Sequence, residues 1–136
     1  MKLSDIAINA AAIETGRWVS VDHILPGVKF KVRGLANADY RRLRAKLIAG
    51  IPRAERVKGV DPMDLDKINI KLLSETILID WSGIEGDDDA PLAFSKEKAA
   101  DLLADPNYAV LHWAVEWAAD VVGQDDLAEA EASAKN

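Results

Sequence analysis

The sequence predicts an α+β protein that is mainly helical, with an N-terminal β-hairpin followed by a bundle of about four helices. Two short alternating runs, GRWVSVD and VKFKVR, flank a Pro-Gly turn between residues 16 and 33. Period-two alternation on both sides of such a turn is typical of a hairpin. Downstream, apolar residues recur every three or four positions between capping and terminating residues, which is typical of amphipathic helices.

The first strong helix is expected between Asn37, which can cap it, and Gly50, which can end it. Its outer side carries Arg41, Arg42 and Arg44, and we expect this basic face to supply polar contacts to a partner. The following residues, 52–60, are polar and basic, and we expect a loop there.

Asp61 and the proline after it predict the start of a second helix, which we expect to run to about Trp81. This segment carries two apolar stripes, one of which includes Ile70, Leu73 and Ile77. Because one stripe suffices for a surface helix, the second is expected to be buried or to bind a partner. The run TILID near its end is β-branched, so a strand stays open as an alternative there.

Ser95 can cap a third helix, and the proline after Asp105 ends it, because proline disfavours helical geometry in the preceding residue. The last helix is expected up to residue 122, and it too has two apolar stripes. One of them is a candidate partner-binding stripe, formed by Val110, Trp113, Trp117 and Val121. Tryptophan is enriched in binding hot spots, so Trp113 and Trp117 are the candidate anchors.

The length and patterning predict one domain at residues 16–122, with the hairpin at 16–33 and the helices at 38–122. Residues 1–15 are expected to form an N-terminal arm, and 123–136 an acidic, disordered tail. The chain has no cysteine, which excludes disulfides and thiolate metal sites. It shows neither a secretory pattern nor an apolar window long enough to suggest a membrane span.

The charge is distributed unevenly along the chain, whose formal net charge is −6. Residues 29–58 carry ten basic and two acidic groups, whereas residues 59–136 carry five basic and eighteen acidic groups. Partial neutralisation within the fold is one interpretation, and a basic face that meets an acidic partner is the other. Nucleic acid is disfavoured as a partner, because the acidic part of the chain would repel phosphate.

Catalysis needs a nucleophile with a base, a positioned acid–base pair or a metal, and the sequence shows no such arrangement. We therefore expect a protein that is not an enzyme and has no cofactor or metal. The two histidines, His23 and His112, are interpreted as structural, and two histidines with scattered carboxylates do not make a zinc site. The acidic turn at residues 87–89 lacks the ligand spacing of a calcium loop.

The order of these motifs resembles that of the tail assembly chaperones of long-tailed phages and prophages. An apolar segment ends in a tryptophan, an acidic turn with glycines follows, and a proline–apolar–phenylalanine–serine entry leads into a helix with two leucines before a proline. The residues that carry this resemblance are Trp81, Gly83, Gly86, Asp87, Pro91, Phe94, Ser95, Leu102, Leu103 and Pro106. The upstream KFKVR strand and the Arg-rich helix fit the same pattern.

The resemblance implies a cytoplasmic assembly factor that binds the helical tape measure protein, helps recruit tail tube protein and is not retained in the mature virion. Self-association through the basic face and the acidic C-terminal half is a further expectation. Two alternatives stay open: a structural head–tail or tail adaptor subunit of the virion, and a small nucleic-acid-binding regulator.

Overall fold

A computed structural model describes residues 1–124 of the 136-residue chain. The described residues form six α-helices and three β-strands, and short 3-10 segments lie at Leu3–Ile6 and Pro106–Tyr108. The elements are α1 (Ala10–Thr15), β1 (Arg17–Ser20), β2 (Lys29–Val32), α2 (Ala38–Ala49), α3 (Arg53–Lys58), α4 (Pro62–Leu72), β3 (Leu78–Ser82), α5 (Lys96–Ala104) and α6 (Ala109–Val121). The predicted fold class, α+β and mainly α, is confirmed.

The sheet is antiparallel with the strand order β1-β2-β3, so the predicted hairpin forms and gains a third strand. Phe30, at the centre of β2, pairs with Val19 on β1 and with Trp81 on β3. Alternation places Val28, Phe30 and Val32 on one face, where all three are buried against the helices. The helices therefore cover the apolar face of the hairpin, which would be exposed to water in an isolated hairpin.

The predicted helix starts are confirmed by their caps. The side chain of Asn37 accepts a hydrogen bond from the Tyr40 N–H at 2.7 Å and begins α2. Asp61 accepts from the Met63 N–H at 2.8 Å and begins α4, and Ser95 accepts from the Lys98 N–H at 3.0 Å and begins α5. In each case an oxygen satisfies a backbone donor that the first turn leaves unpaired.

The structure corrects the prediction of one long helix from Asp61 to Trp81. Helix α4 ends at Leu72, a π-helical turn spans Leu73–Ile77, and β3 follows it. The end of the segment pairs with β2 through Leu78, Asp80, Trp81 and Ser82, and Ile79 is the unpaired extra residue between Leu78 and Asp80.

Two further expectations are revised or extended. Residues 52–60 contain helix α3 and are not a loop throughout. The expected N-terminal arm contains α1, and its Asn9 N–H donates to the Gly123 carbonyl at 2.8 Å. Of the expected acidic tail, residues 125–136 lie outside the described part of the chain.

Candidate partner-binding groove

A groove lies between α4 and α5, where the side chains of α5 are small. Ala99 and Leu103 of α5 point into the core, whereas Ala100 and Ala104 lie four residues apart on the side facing Ile70 of α4. Because Ala100 and Ala104 carry only methyl groups, an open, mainly apolar space of about 460 Å³ remains between the two helices.

The same space continues towards α6. A second cleft of about 510 Å³ shares Ile70 and Ala104 with the first and is bounded by Trp113 of α6. We call the two together the helical groove. The groove is lined by α4, the π-helical turn, α5, the 3-10 segment Pro106–Tyr108 and α6, so its shape depends on how these elements pack.

The two ends of the helical groove differ in charge. The part between α4 and α5 is bordered by Lys67, Lys71 and Lys96, together with two glutamates. The part next to α6 is bordered by Asp66, Asp105 and Glu116, with no lysine or arginine among its lining residues. An elongated partner would therefore meet a basic end and an acidic end.

At the acidic end, the ring of His112 contacts residues of three helices. Its Nε2 lies 2.9 Å from Glu116 Oε1 and 3.3 Å from Asn69 Nδ2, and its Nδ1 lies 3.4 Å from the Leu103 carbonyl oxygen. The ring thus bridges α4, α5 and α6, in agreement with the structural interpretation of this histidine.

Trp113 is the most exposed described aromatic residue at the groove, with 71% of its surface accessible. Val110, one helical turn before it, is 46% exposed. The opposite face of α6 is packed into the core, and its buried residues include Ala114, Val115 and Ala118. Two residues of the predicted binding stripe are therefore accessible on the outer side of α6.

The remaining apolar residues of the predicted partner site are placed differently. Trp117 is half-buried and makes an edge-on contact with His23, their ring centroids being 4.3 Å apart. Val121, Leu73 and Ile77 are buried in the core, so their assignment to a partner surface is corrected. Leu73 and Ile77 lie in the π-helical turn under the sheet, and the N-terminal segment bonds to the chain just after Val121.

The basic residues of the predicted site lie on a separate surface. Arg41, Arg42 and Arg44 are all exposed on α2, and Arg42 pairs with Asp39 at 3.1 Å. Helix α3, which the sequence did not reveal, carries three more exposed cations. We use the name basic surface for the exposed cations of the two helices: Arg41, Arg42, Arg44, Lys46, Arg53, Arg56 and Lys58.

Ile70 belonged to a predicted stripe, but Ala100 and Ala104 were not recognised as part of a site. The signal that could have revealed them is the four-residue spacing of alanines on the outer side of a short, capped helix. Within residues 1–124 no group of histidine and carboxylate side chains is arranged to hold a metal ion. The same residues include no helix with the length and apolar character needed to cross a bilayer.

Comparison with known proteins identifies a family. No curated protein and no solved structure matches the chain. The model of the YdaY prophage protein family matches residues 35–136, which include the helical groove, the basic surface and β3. Since the match covers about three quarters of the sequence, the chain belongs to the YdaY prophage protein family.

Proposed function

We propose that this prophage protein is a tail assembly chaperone that binds helical segments of the tape measure protein and helps recruit tail tube subunits. The observation that carries the proposal is the open apolar groove with Trp113 exposed at its rim. The protein acts by binding, without a catalytic step.

The groove suits an amphipathic helix. Its floor is made by Ile70 and the two α5 alanines, which allow a partner backbone to approach closely. Trp113 stands beside this floor, where a large apolar side chain can cover the partner's apolar face. A long tape measure helix exposes such a face until the tube encloses it, and covering the face prevents aggregation.

The charges at the two groove ends favour one orientation of the bound helix. The N-terminal end of a helix carries partial positive charge and is stabilised near Asp66, Asp105 and Glu116. The C-terminal end is stabilised near the lysines at the other end. Many copies bound in one direction along a repetitive partner give a high overall affinity from weak individual contacts.

Co-expression with a tape measure fragment tests the proposal. The fragment is expected to become soluble and to co-purify with the chaperone. The Trp113→Ala variant is expected to weaken binding about 30-fold, which corresponds to the loss of a hot spot of about 2 kcal/mol. The matched control is Tyr108→Ala, because Tyr108 is also an exposed aromatic but lines a different cleft.

Two outcomes would contradict the proposal. If the fragment stays as insoluble with the protein as without it, the chaperone role fails. If mass spectrometry finds the protein in purified mature particles at the level of a structural component, an adaptor subunit of the virion is the better interpretation.

A further inference from the structure

The ring of His112 has one more polar neighbour than a neutral imidazole can satisfy. Its Nε2 lies 2.9 Å from Glu116 Oε1, an acceptor, and 3.3 Å from Asn69 Nδ2, a donor. Its Nδ1 lies 3.4 Å from the Leu103 carbonyl oxygen, which is a second acceptor. A ring nitrogen either donates through its proton or accepts through its lone pair. Glu116 and Asn69 therefore require opposite states of the same nitrogen.

We infer that the proton on Nε2 of His112 is a switch that exchanges Asn69 for Glu116 as the partner of the ring. Without this proton, the Nε2 lone pair accepts a hydrogen bond from the Asn69 side chain of α4. With it, Nε2–H donates to the Glu116 carboxylate on α6, and the ring carries a positive charge. The proton is exchanged with solvent, which reaches the ring because the His112 side chain is 22% exposed.

The other ring nitrogen has the same role in both states. Nδ1–H donates to the Leu103 carbonyl, which belongs to the last turn of α5, where carbonyl groups have no partner further along the helix. If the neutral ring carried its proton on Nε2 instead, the Nδ1 lone pair would face this oxygen, and two acceptors repel each other. The neutral ring therefore keeps its proton on Nδ1, and the change of partner is confined to Nε2.

The charged groups around the ring come from three parts of the chain and have one sign. Asp66 of α4, Asp105 at the end of α5 and Glu116 of α6 line the same cleft as His112, without a lysine or arginine among the lining residues. No cation of this cleft therefore repels the protonated ring. The Glu116 side chain is 44% exposed, so its carboxylate is hydrated by solvent when Nε2 has no proton.

The switch changes the acidic end of the helical groove. When Nε2 is protonated, the ring neutralises one of the three negative charges at this end and loses its hydrogen bond with Asn69 of α4. When Nε2 has no proton, the three carboxylates keep their charge, and the ring joins α4 to α6. The consequence for a partner rests on the proposed function: the N-terminal end of a bound helix is held less strongly when His112 is protonated.

NMR spectroscopy of the wild-type protein tests the switch without any partner. Histidines change charge between about pH 5 and pH 8, so spectra are compared at the two ends of this range. Proton–nitrogen correlation spectra of the ring are expected to show a proton on Nδ1 alone at the upper end and on both nitrogens at the lower end. The side-chain amide signals of Asn69 are expected to move, because their acceptor is lost. Those of Asn37, which donates to two backbone carbonyls, are expected to stay in place.

Replacing each of the two histidines in turn assigns the response to one ring. H112Q removes the ring at the groove, so the Asn69 signals are expected to lose their response to pH. H23Q is the matched control, because His23 contacts Trp117 and not Asn69. The Asn69 signals of H23Q are expected to move as they do in the wild type.

A third variant tests the contact with Glu116. The ion pair exists only when His112 is protonated, so E116Q is expected to lose more stability at the lower end of the pH range than at the upper end. In an H112Q background, the loss caused by E116Q is expected to be equal at both ends, because the two changes act on one contact. Urea denaturation of the four proteins measures these losses.

Three results would overturn the inference. The first is a proton on Nε2 at the upper end of the pH range. The second is that the Asn69 signals stay in place in the wild type, or move as much in H112Q. The third is that E116Q loses the same stability at both ends of the range. Each is measured without the tape measure protein, so failure of this inference and failure of the proposed function are distinguishable.

Discussion

Trp81 and Trp113 show how differently one residue type is used in two regions of this protein. Trp81 lies on β3 at the corner that leads towards α5, is 5% exposed, and donates a hydrogen bond from Nε1 to the Leu92 carbonyl at 2.7 Å. It also packs edge-on against Phe94, with ring centroids 4.9 Å apart. Trp113 is 71% exposed at the rim of the helical groove. The corner uses tryptophan to fix the fold, whereas the groove leaves it available to a partner.

The largest expected effect is on stability at the corner. Trp81→Ala is expected to lower the free energy of unfolding by about 3–5 kcal/mol, because it leaves a cavity beside Phe94 and Phe30. Trp113→Ala is expected to change it by about 0.5 kcal/mol or less, since an exposed side chain loses little packing. Urea denaturation of both variants measures the difference, and equal losses would remove the distinction between the two regions.

A smaller effect is expected where α2 joins the core. The Asn37 side chain is fully buried: it caps α2 and donates to the carbonyls of Gly34 and Thr76, at 2.9 and 3.0 Å. Asn37→Ala is expected to cost about 2–3 kcal/mol, because it removes a cap and leaves buried polar groups unpaired.

The matched control is Ser95→Ala, which removes an exposed cap from α5 and is expected to cost about 1 kcal/mol. Thermal or urea denaturation distinguishes the two. If the exposed cap proves as costly as the buried one, burial does not determine the difference between them.

Features fixed by neighbouring residues could be predicted from the sequence. The hairpin follows from the alternation around Phe30, and three helix starts follow from the side chains of Asn37, Asp61 and Ser95. These signals act over a few residues and were read correctly.

Signals from neighbouring residues could not distinguish the third strand from a helix. An apolar, β-branched run satisfies either periodicity, and what selects the strand is pairing with β2, which lies far away in the sequence. The register places Phe30 opposite Trp81, with one extra residue on β3 between the pairs at Asp80 and Leu78.

The exposed part of the partner surface was equally hard to predict. Val110, Trp113, Trp117 and Val121 form one stripe in sequence, yet only the first two are exposed. His23 covers Trp117, and the N-terminal segment bonds beside the end of α6. Both come from distant parts of the chain, so helical spacing alone cannot distinguish the exposed residues from the buried ones.

The smallest effect is expected at the exposed ion pairs that begin α2. The hydrogen bond and positive charge of Arg33, with a lesser contribution from Arg42, hold the pKa of the Asp39 carboxyl below its ordinary value. A lowered folded-state pKa stabilises the protein above the unfolded pKa, and this stability is lost as the pH falls through the folded pKa.

Asp39→Asn is therefore expected to be less stable than the wild type at pH 7, and this gap in the free energy of unfolding is expected to close under acid conditions. Urea denaturation at pH 7 and at about pH 3, below the ordinary aspartate pKa, measures the gap. An Arg33→Gln background should shrink it at pH 7, and a gap that is the same at both pH values would show that the ion pair does not contribute.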